Sequence, residues 1–306
     1  MPTQKKILIN CPSILNITNK NDNSLGGIEA LCLALANELS KRKFNITFSS
    51  INKKKIQKGK ILYVSINDIK KKFKDYNFDS IISANDASIF SYYKQTEKQF
   101  FWLHNKLQIE KSIRRKQFLS IIKNRLNVIF VSNYLKNITS NLYFFKKKFI
   151  IKNFLLPNFT NQKIKIKRKP IFIWSVQREK GLSDFIKIWI NQVYNSSKNA
   201  KFYIFGIDKI PNYLDEKFLK SKNIFFKGRV SKKILKKTYN ESMGMVCLGY
   251  DETFCLNALE ANACGLPVIT LGKTVLKDYV INNFNGYIVN NFSDIALKIK
   301  YLIKLK

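Results

Sequence analysis

Short apolar runs alternate with stretches of helical period along almost the whole 306-residue chain. The first run is KILINC at 6–11, and Leu31, Leu35 and Leu39 then recur at helical spacing. Apolar runs of this length, separated by amphipathic helices, are typical of parallel strands joined by crossover helices. The pattern therefore predicts an α/β fold built on parallel sheets.

The alternation occurs twice, and a basic segment around Pro157 and 163–170 separates the two series. The predicted strands are 44–50, 61–64, 80–83, 100–103 and 128–132 in the first series, and 171–175, 202–206, 224–228, 245–249 and 267–270 in the second. The predicted helices are 28–42, 106–124, 181–196, 231–242, 256–264 and 293–304, and 53–60 is predicted to be a solvated connection. We therefore expect two doubly wound, Rossmann-like domains, 1–156 and 157–306, facing a cleft, with ligand-binding loops at the carboxyl ends of the strands.

The formal net charge of +35 is distributed evenly along the chain. Residues 1–150 carry 28 Lys and Arg against 9 Asp and Glu, residues 151–306 carry 27 against 11, and only seven of the basic residues are arginine. Even spreading and scarce arginine favour a composition bias over a specific nucleic-acid interface. Attraction to anionic lipid headgroups is the alternative, and the basic stretch 106–125 is either its candidate contact or a solvated helix face.

Cysteine and histidine usage argues against a disulfide framework and against a zinc site. The five cysteines are odd in number and form no C-x-x-C pair, and His104 is the single histidine. No apolar run reaches the roughly 18 residues that a membrane helix needs. These features favour a cytoplasmic protein without a metal cofactor.

The segment DETFCLNALEANACG, 251–265, combines acidic residues with a helix start. Glu252 falls in the loop after a predicted strand, and Glu260 falls eight positions later within the predicted helix. A helix N-terminus offers N–H groups without intrahelical partners to a phosphate, and carboxylates accept strong hydrogen bonds from sugar hydroxyls. The amides at this helix start belong to Phe254, Cys255 and Leu256. The pattern is that of a nucleotide-sugar site.

This segment resembles the retaining family-4 glycosyltransferases of GT-B fold, through its two glutamates eight apart followed by EANACGLPVIT. The resemblance extends over most of the chain, through SLGGIEALCLALANEL, FWLHN, IFVSNYLKN, LPNF, REKGLSDFI, NIFFKGRVSKKIL and NFNGYIV. It implies two Rossmann-like domains, an acceptor-side one and a nucleotide-sugar-binding one. It also implies transfer of a sugar from a nucleoside diphosphate sugar to an acceptor hydroxyl, with retention and without a metal or other cofactor.

The resemblance also implies a role for individual residues in donor binding. Gly26 and Gly27 would let the diphosphate approach the backbone, and Arg229 and Val230 would contact the nucleotide base. Glu260 would bind ribose hydroxyls. Cys255 stands where many relatives have glycine.

A second set of residues is implied to act on the reacting sugar and the leaving group. His104 would lie near the donor sugar, and Glu252 would bind the hydroxyls of that sugar. Lys180 would neutralise the leaving diphosphate, while Arg178, two residues earlier, either fills the family's arginine role or leaves it unfilled. Each residue also has a plain structural alternative: a flexible turn, a packed histidine, a solvated lysine or a surface carboxylate.

The implied chemistry is a same-face substitution in which the leaving phosphate takes the acceptor proton. The sequence contains no Asp-x-Asp metal motif, which suits metal-independent transfer. By analogy, the acceptor is a saccharide or lipid-linked molecule of cell-envelope polysaccharide or lipopolysaccharide synthesis. A nucleotide-sugar 2-epimerase of the same fold, a basic nucleic-acid-binding protein and a non-catalytic scaffold remain alternatives. Many relatives continue beyond the final helix, whereas this sequence ends at Lys306, which leaves their crossover segment in doubt.

Overall fold

A computed structural model describes residues 4–14, 25–51, 55–72, 76–93, 96, 98–160, 164, 167–175, 181–272 and 274–305. The chain divides into two compact units, Met1–Phe154 and Leu155–Lys306. The boundary predicted from the sequence lies at 156/157. In the described part of the chain, no helix has the length and apolarity needed to cross a membrane.

The first unit contains an eight-stranded sheet within its described residues. Its strands are Lys6–Asn10 (β1), Asn45–Ser50 (β2), Ile56–Lys58 (β3), Ile61–Ser65 (β4), Ser80–Ala84 (β5), Gln99–Leu103 (β6), Asn127–Phe130 (β7) and Lys147–Ile150 (β8). Their order is β3-β4-β2-β1-β5-β6-β7-β8, and every neighbouring pair is parallel except β3 with β4. The α-helices are Gly27–Lys41 (α1), Ile66–Lys72 (α2), Ile109–Arg114 (α3), Phe118–Asn124 (α4) and Asn133–Ile138 (α5), with 3-10 turns at Ser88–Ser91 and Asn141–Tyr143.

The second unit contains a six-stranded parallel sheet. Its strands are Lys169–Ser175 (β9), Lys201–Phe205 (β10), Ile224–Gly228 (β11), Ser242–Val246 (β12), Val268–Leu271 (β13) and Gly286–Val289 (β14), in the order β11-β10-β9-β12-β13-β14. The α-helices are Leu182–Ile188 (α6), Glu216–Ser221 (α7), Lys232–Glu241 (α8), Leu256–Ala263 (α9) and Phe292–Lys304 (α10). Trp189–Tyr194 is π-helical, and 3-10 turns lie at Pro157–Phe159 and Val275–Asp278.

Continuous apolar strands explain why the sheet of the second unit is buried on both faces. The described core includes Phe172, Trp174 and Phe202 from β9 and β10, together with Phe185 and Trp189 from the helical layer. The rings of Phe185 and Trp189 lie 5.0 Å and 5.2 Å from that of Phe202. Helices on both faces of a parallel sheet give such strands nearly unbroken apolar character, which is the pattern seen in the sequence.

The basic stretch 106–124, predicted as one helix, is two helices. The chain turns between α3 and α4 through Lys116, whose φ of 55° lies in the left-handed region. The side chain of Gln117 then donates to Asp86 at 3.2 Å, and the Ser112 hydroxyl lies 3.1 Å from that of Tyr143. These two contacts hold the chain near the break, one to the loop after β5 and the other to the 3-10 turn at Asn141–Tyr143.

Other differences from the predicted elements have local causes. The predicted solvated connection 53–60 contains β3, which pairs antiparallel with β4. The predicted helix 181–196 changes from α to π geometry at Trp189, whose indole N–H donates to the carbonyl oxygen of Lys222 at 3.0 Å. The sequence prediction omitted β8, β14, α2, α5 and α7, which are all seven residues or shorter.

Each sheet has a position where the direction of strand order reverses. In the first unit it lies between β1 and β5, and in the second between β9 and β12. Loops leaving adjacent strands at such a switch point run to opposite sides and leave a crevice at the carboxyl edge, where open α/β sheets bind ligands. A functional site is therefore expected in the loops that follow these four strands.

Candidate functional site

In the second unit, the loops after β9 and β12 lie in direct contact. Gly181 directly precedes α6 and has a φ of 89°, and a Cβ placed on it would lie 2.7 Å from Cδ1 of Leu248 and 2.8 Å from Cε2 of Tyr250. Both the backbone conformation and the close approach require glycine. Gly181 therefore marks the point where the loop after β9 packs on the loop after β12.

The loop after β12 leads through Glu252 to the start of α9. Glu252 is half-buried, and its backbone N–H donates to the carbonyl oxygen of Gly249 at 3.2 Å. Cys255 is the residue before α9, and its φ of 62° places a non-glycine residue in the left-handed region. Glycine, which the family resemblance implies at this position, would adopt this conformation more easily, because an L side chain is disfavoured in it by about 1 kcal/mol or more.

Tyr279 holds this loop in place from the far side. Its hydroxyl donates to the carbonyl oxygens of both Phe254 and Cys255, each at 2.9 Å, and its ring stacks on that of Phe254 with centroids 5.6 Å apart. With these carbonyls held by Tyr279, the helix start is oriented by buried contacts. Leu256 begins α9, whose first N–H groups have no intrahelical acceptors and carry the positive end of the helix dipole.

Glu260 does not extend into solvent, because it forms a buried ion pair with Lys232 at the start of α8. Lys232 Nζ lies 2.7 Å from Oε1 and 2.6 Å from Oε2, and the Glu260 side chain is 1% exposed. Burial raises the pKa of the Glu260 carboxyl, and Lys232 opposes that rise. Lys232 also lies 3.5 Å from Oδ1 of Asn257. The carboxylate is thus held in one orientation before any ligand is considered.

The loop after β11 is held by an aspartate that sequence reasoning missed. Asp208 Oδ1 accepts from the backbone N–H of Arg229 at 2.9 Å, and Oδ2 lies 3.1 Å from the guanidinium Nε of Arg229. Gly228, with a φ of 62°, allows the turn, and Val230 packs against the core. The sequence signal for Asp208 was its position three residues after the end of β10, the strand that pairs with β11.

Asn257 is a second residue of the site that sequence reasoning did not select. Its side-chain amide donates to the carbonyl oxygen of Ser175, the last residue of β9, at 2.5 Å. It therefore ties the first turn of α9 to the strand on the other side of the switch point. Polar residues in the first turn of a helix after the switch-point strand are the signal that could have identified it.

The first unit places its predicted residues at the carboxyl edge of its sheet. Gly26 precedes α1 and Gly27 begins it, so both lie at a helix N-terminus as predicted. Gly26 has an ordinary φ of −68°, and the carboxylate of Glu29 lies where its Cβ would be. That carboxylate ends a flexible side chain that can move away, so neither the backbone conformation nor the surroundings require glycine at Gly26.

His104 follows β6 and is buried. Its backbone N–H donates to Oδ1 of Asn85 at 2.8 Å, and its ring lies 4.5 Å from the ring of Trp102. Burial lowers the pKa of His104 to about 3, so the imidazole is neutral at physiological pH. Any role it has is that of a neutral hydrogen-bonding or packing group.

A buried polar network connects the ends of β1, β2 and β5, and sequence reasoning missed it. Asn10 donates to the Ser83 hydroxyl at 2.9 Å and to Asp86 at 3.4 Å, and it accepts from the Ser49 hydroxyl at 2.7 Å. Buried networks of this kind fix side-chain positions because each unsatisfied member would be costly. The signal was polar residues that end apolar strands, in LIN and ISAND.

Two predicted donor-site residues, Arg178 and Lys180, lie outside the described residues. Within the part of the chain that the structure describes, no group of three or more His, Cys, Asp or Glu side chains is placed to hold a metal ion. The predicted roles of Arg178 and Lys180, and metal-independent chemistry, stay predictions.

Residues 158–306 match the family model of the glycosyl transferases group 1. This range includes all but the first three residues of the second unit. The second unit is a glycosyl transferases group 1 domain. It carries Glu252, Glu260 and the start of α9, which are the features on which the family resemblance was based.

Solved structures resemble the chain over both the group 1 domain and the first unit. A glycosyltransferase from Rickettsia africae ESF-5 is 16% identical, with 99% of this chain and 89% of that chain covered and a TM-score of 0.70. WaaG, a glycosyltransferase involved in lipopolysaccharide biosynthesis, is 13% identical, with 97% and 91% covered and a TM-score of 0.69. These likenesses confirm the predicted GT-B fold class with two Rossmann-like units.

A third structure resembles the chain over a smaller part of its length. It is a mutant of S. aureus TarM in complex with Fondaparinux, alpha-GlcNAc-glycerol and UDP, which is 20% identical with a TM-score of 0.58. The alignment covers 76% of this chain, which spans only half the length of that one. No curated protein matches the chain.

Proposed function

We propose that the protein is a retaining, metal-independent glycosyltransferase that moves a sugar from a nucleoside diphosphate sugar to a saccharide or lipid-linked acceptor. The observation that carries the proposal is the start of α9 at the switch point of a group 1 domain, between Glu252 in the preceding loop and the buried Glu260. The involvement of WaaG in lipopolysaccharide biosynthesis supports an acceptor in cell-envelope polysaccharide or lipopolysaccharide synthesis.

Donor binding follows from the charges and donors at this edge of the sheet. The diphosphate accepts hydrogen bonds from the amides of Phe254, Cys255 and Leu256, where the helix dipole favours an anion. The UDP bound in the TarM complex supports a nucleoside diphosphate as the ligand. Glu260 accepts from ribose hydroxyls, with Lys232 opposing the rise in its pKa, and each charge-assisted bond contributes roughly 1.5–3 kcal/mol.

The base of the nucleotide is assigned to the loop after β11. Asp208 fixes both the backbone N–H and the side chain of Arg229, so that this turn offers a constant surface next to Val230. A loop held in place before binding loses less conformational entropy when the ligand arrives. Contacts to backbone atoms of Arg229 and Val230 would then read the shape of the base.

Transfer requires stabilisation of the charge that develops on the leaving diphosphate. The bond between the anomeric carbon and the diphosphate oxygen breaks, and the acceptor oxygen bonds to that carbon on the same face. The acceptor proton passes to the departing phosphate oxygen. Lys180 and the α9 amides stabilise the leaving group; loss of one such donor costs about 3 kcal/mol, on the order of a hundredfold in rate. Glu252 holds the hydroxyls of the sugar, and neutral His104 can donate to the sugar without adding charge.

The proposal is tested by sugar transfer in a panel of nucleoside diphosphate sugars and envelope-derived acceptors. Donors are first selected by thermal shift, because a ligand at 100 times its dissociation constant adds roughly 2.7 kcal/mol of stability. We expect product with the α-anomeric configuration by NMR, undiminished by EDTA. Released epimerised sugar without transfer would instead identify a 2-epimerase.

A matched pair of variants tests the site itself. Glu252→Gln should lower kcat/KM by roughly tenfold to a hundredfold, because a neutral amide loses one charge-assisted hydrogen bond to the sugar. Glu216→Gln changes an exposed carboxylate on α7 that pairs with Lys220, and it should leave turnover unchanged. Equal effects of the two substitutions would remove Glu252 from the donor site.

A further inference from the structure

Asn85 is held in a left-handed conformation at the end of a switch-point strand of the first unit. It directly follows β5, and its φ is 54°. β5 lies next to β1, where the strand order of this sheet reverses. Backbone conformations of this kind cluster at functional sites and persist only where the surrounding structure holds them. The contacts of Asn85 show what this conformation achieves.

The side chain of Asn85 continues the pairing between β5 and β6 beyond the last paired residues. The two strands pair in parallel up to Ala84 and Trp102, and the backbone N–H of Asn85 donates to the carbonyl oxygen of Trp102 at 3.0 Å. Asn85 Oδ1 then accepts from the backbone N–H of His104 at 2.8 Å and from that of Asn105 at 3.2 Å. Three hydrogen bonds therefore hold the segment 102–105 to one residue.

Asparagine meets two requirements at this position. The left-handed region is visited routinely by glycine and occasionally by asparagine and aspartate. Glycine would adopt the backbone conformation but has no oxygen to accept from the two N–H groups. Aspartate has both the tolerance for this conformation and the oxygen. The two requirements can therefore be separated by substitution.

The residue after Asn85 fixes the same turn from its other side. Asp86 Oδ1 accepts from the backbone N–H of Ser88 at 2.9 Å and from the side-chain amide of Gln117 at 3.2 Å. The hydroxyl of Ser83 donates to the carbonyl oxygen of Asp86. Because these bonds hold the chain before and after Asn85, its side-chain oxygen has a fixed place before any ligand binds.

The segment that Asn85 holds carries the buried His104. The ring of His104 lies 4.5 Å from that of Trp102, and the two residues are 3% and 6% exposed. Without the Asn85 oxygen, the N–H of His104 would lose its acceptor. A buried donor without a partner is costly, so the segment would have to move to find another one. The position of the imidazole thus depends on Asn85.

We propose that Asn85 is a positioning residue for sugar transfer, which acts through the backbone of His104 to hold the imidazole in place at the donor sugar. The proposal rests on the proposed function, because it requires that His104 take part in transfer. Asn85 itself need not touch the substrate. The competing interpretation is that Asn85 only closes the end of the sheet, in which case its loss would lower stability without acting through His104.

Three variants of the full chain separate these interpretations. Asn85→Gly keeps the left-handed backbone and removes the acceptor, whereas Asn85→Asp keeps both. The matched control is Asn223→Gly at the amino end of β11. Asn223 also has a left-handed φ, of 58°, and its side-chain amide donates to the carbonyl oxygen of Lys198 at 2.7 Å. The control therefore loses a side-chain hydrogen bond at a left-handed asparagine away from the site.

Sugar transfer is measured well below the unfolding temperature of each variant. Asn85→Gly should lower kcat by roughly tenfold to a hundredfold, because a small displacement of a reacting group can cost on the order of a hundredfold. Asn85→Asp should be at least about ten times faster than Asn85→Gly, and Asn223→Gly should equal the wild type. Equal losses in Asn85→Gly and its control, or no recovery in Asn85→Asp, would overturn the proposal.

A double-mutant cycle tests whether Asn85 acts through His104. Adding Asn85→Gly to His104→Gln should lower kcat by less than about threefold beyond His104→Gln alone, because the group that Asn85 positions is already absent. Two effects that multiply in the double variant would show that Asn85 acts independently of His104 and would overturn the proposal.

The NMR signals of the His104 ring give a readout that needs no substrate. His104 is the single histidine, and its ring protons feel the ring current of Trp102. These signals should broaden or move toward the position of an exposed histidine in Asn85→Gly, and should stay near the wild-type position in Asn85→Asp and Asn223→Gly. Unmoved signals in Asn85→Gly would overturn the proposal. Absence of transfer by the wild-type protein would instead refute the proposed function, and the NMR signals would still decide whether Asn85 holds His104.

Discussion

The buried ion pair between Lys232 and Glu260 allows a quantitative test of how the candidate donor site is built. The perturbation is Lys232→Met, which keeps most of the aliphatic stem and removes the ammonium group. Glu260 stays at 1% exposure in the second unit, whereas the Lys232 side chain is 30% exposed. The substitution therefore leaves a carboxylate inside the protein without its cation.

The magnitude follows from the two degrees of burial. Removing one partner of a fully buried pair typically costs about 3–5 kcal/mol. Partial exposure of Lys232 lets water replace some of the lost interaction, so we expect the free energy of unfolding at pH 8 to fall by about 2–3 kcal/mol. The ring of Phe159, which lies 5.6 Å from the Lys232 ammonium group, can pack on the methionine and offset a small part of this loss.

The loss should depend on pH, with a sign fixed by the pKa of Glu260. Burial raises this pKa above its ordinary value of 4.5, and Lys232 opposes the rise, so Lys232→Met should raise the pKa further. A raised folded-state pKa means that the folded state holds the proton more tightly. The associated stability is fully present below the ordinary pKa and is lost as pH rises through the folded pKa. The deficit of the variant should therefore be largest at pH 8 and should shrink toward pH 5.

The assay is urea unfolding followed by tryptophan fluorescence at pH 8, 7, 6 and 5. Two of the three tryptophans, Trp174 and Trp189, lie in the second unit and report on it. The matched control is Lys233→Met, which removes an exposed cation one residue away on α8. A deficit that does not change with pH, or that equals the deficit of the control, would refute the reasoning.

Three further predictions concern separate features. Gly181→Ala should lower the free energy of unfolding by about 3 kcal/mol or more in the same urea assay, because it adds a clash to the left-handed strain. The control Gly59→Ala should cost only about 1–2 kcal/mol, because Gly59 has a φ of 58° and open space around it. Similar costs for the two variants would contradict the close contact between the loops. The ring-proton NMR signals of His104, the single histidine, should not shift between pH 8 and pH 5 because its pKa is about 3, and a midpoint near 6.5 would show that it is not buried. Asp208→Asn should change the free energy of unfolding by less than about 1 kcal/mol, because the ion pair between Asp208 and Arg229 is exposed. The same variant should bind a nucleoside diphosphate severalfold more weakly by calorimetry. Unchanged binding would remove this loop from the base site.

The sequence predicted the repeating elements of the fold better than their ends. Long periodic segments such as α1 and α10, and the apolar strands of both sheets, lie within a few residues of their predicted positions. The edge strand β8 was missed because all four of its residues are exposed, so it lacks the alternation of buried and exposed residues that identifies a strand. The break between α3 and α4 was missed because its cause, the hydrogen bond from Gln117 to Asp86, joins residues 31 positions apart.

The candidate site was predictable where a short motif contains its own geometry. Glu252, the start of α9 and Glu260 lie within nine residues, so one strand-loop-helix unit fixes their relation. Lys232 lies 28 residues before Glu260, in a chain with 55 Lys and Arg, and nothing in the sequence distinguishes it from the other lysines. Only the packing of α8 beside α9 selects it. The same reasoning applies to Asp208, which acts through Arg229 on the neighbouring strand.

Cys255 shows how a departure from the family pattern can be tolerated at such a site. Its left-handed φ is a conformation that glycine adopts routinely, that asparagine and aspartate adopt occasionally, and that other residues disfavour. The cysteine side chain is small, is buried, and places its sulfur 3.5 Å from that of Cys247. Tyr279 meanwhile holds the carbonyl groups on both sides of the N–H of Cys255. Burial and these hydrogen bonds together offset a strain of about 1 kcal/mol, so the turn that directs the α9 amides persists without the glycine that would form it most easily.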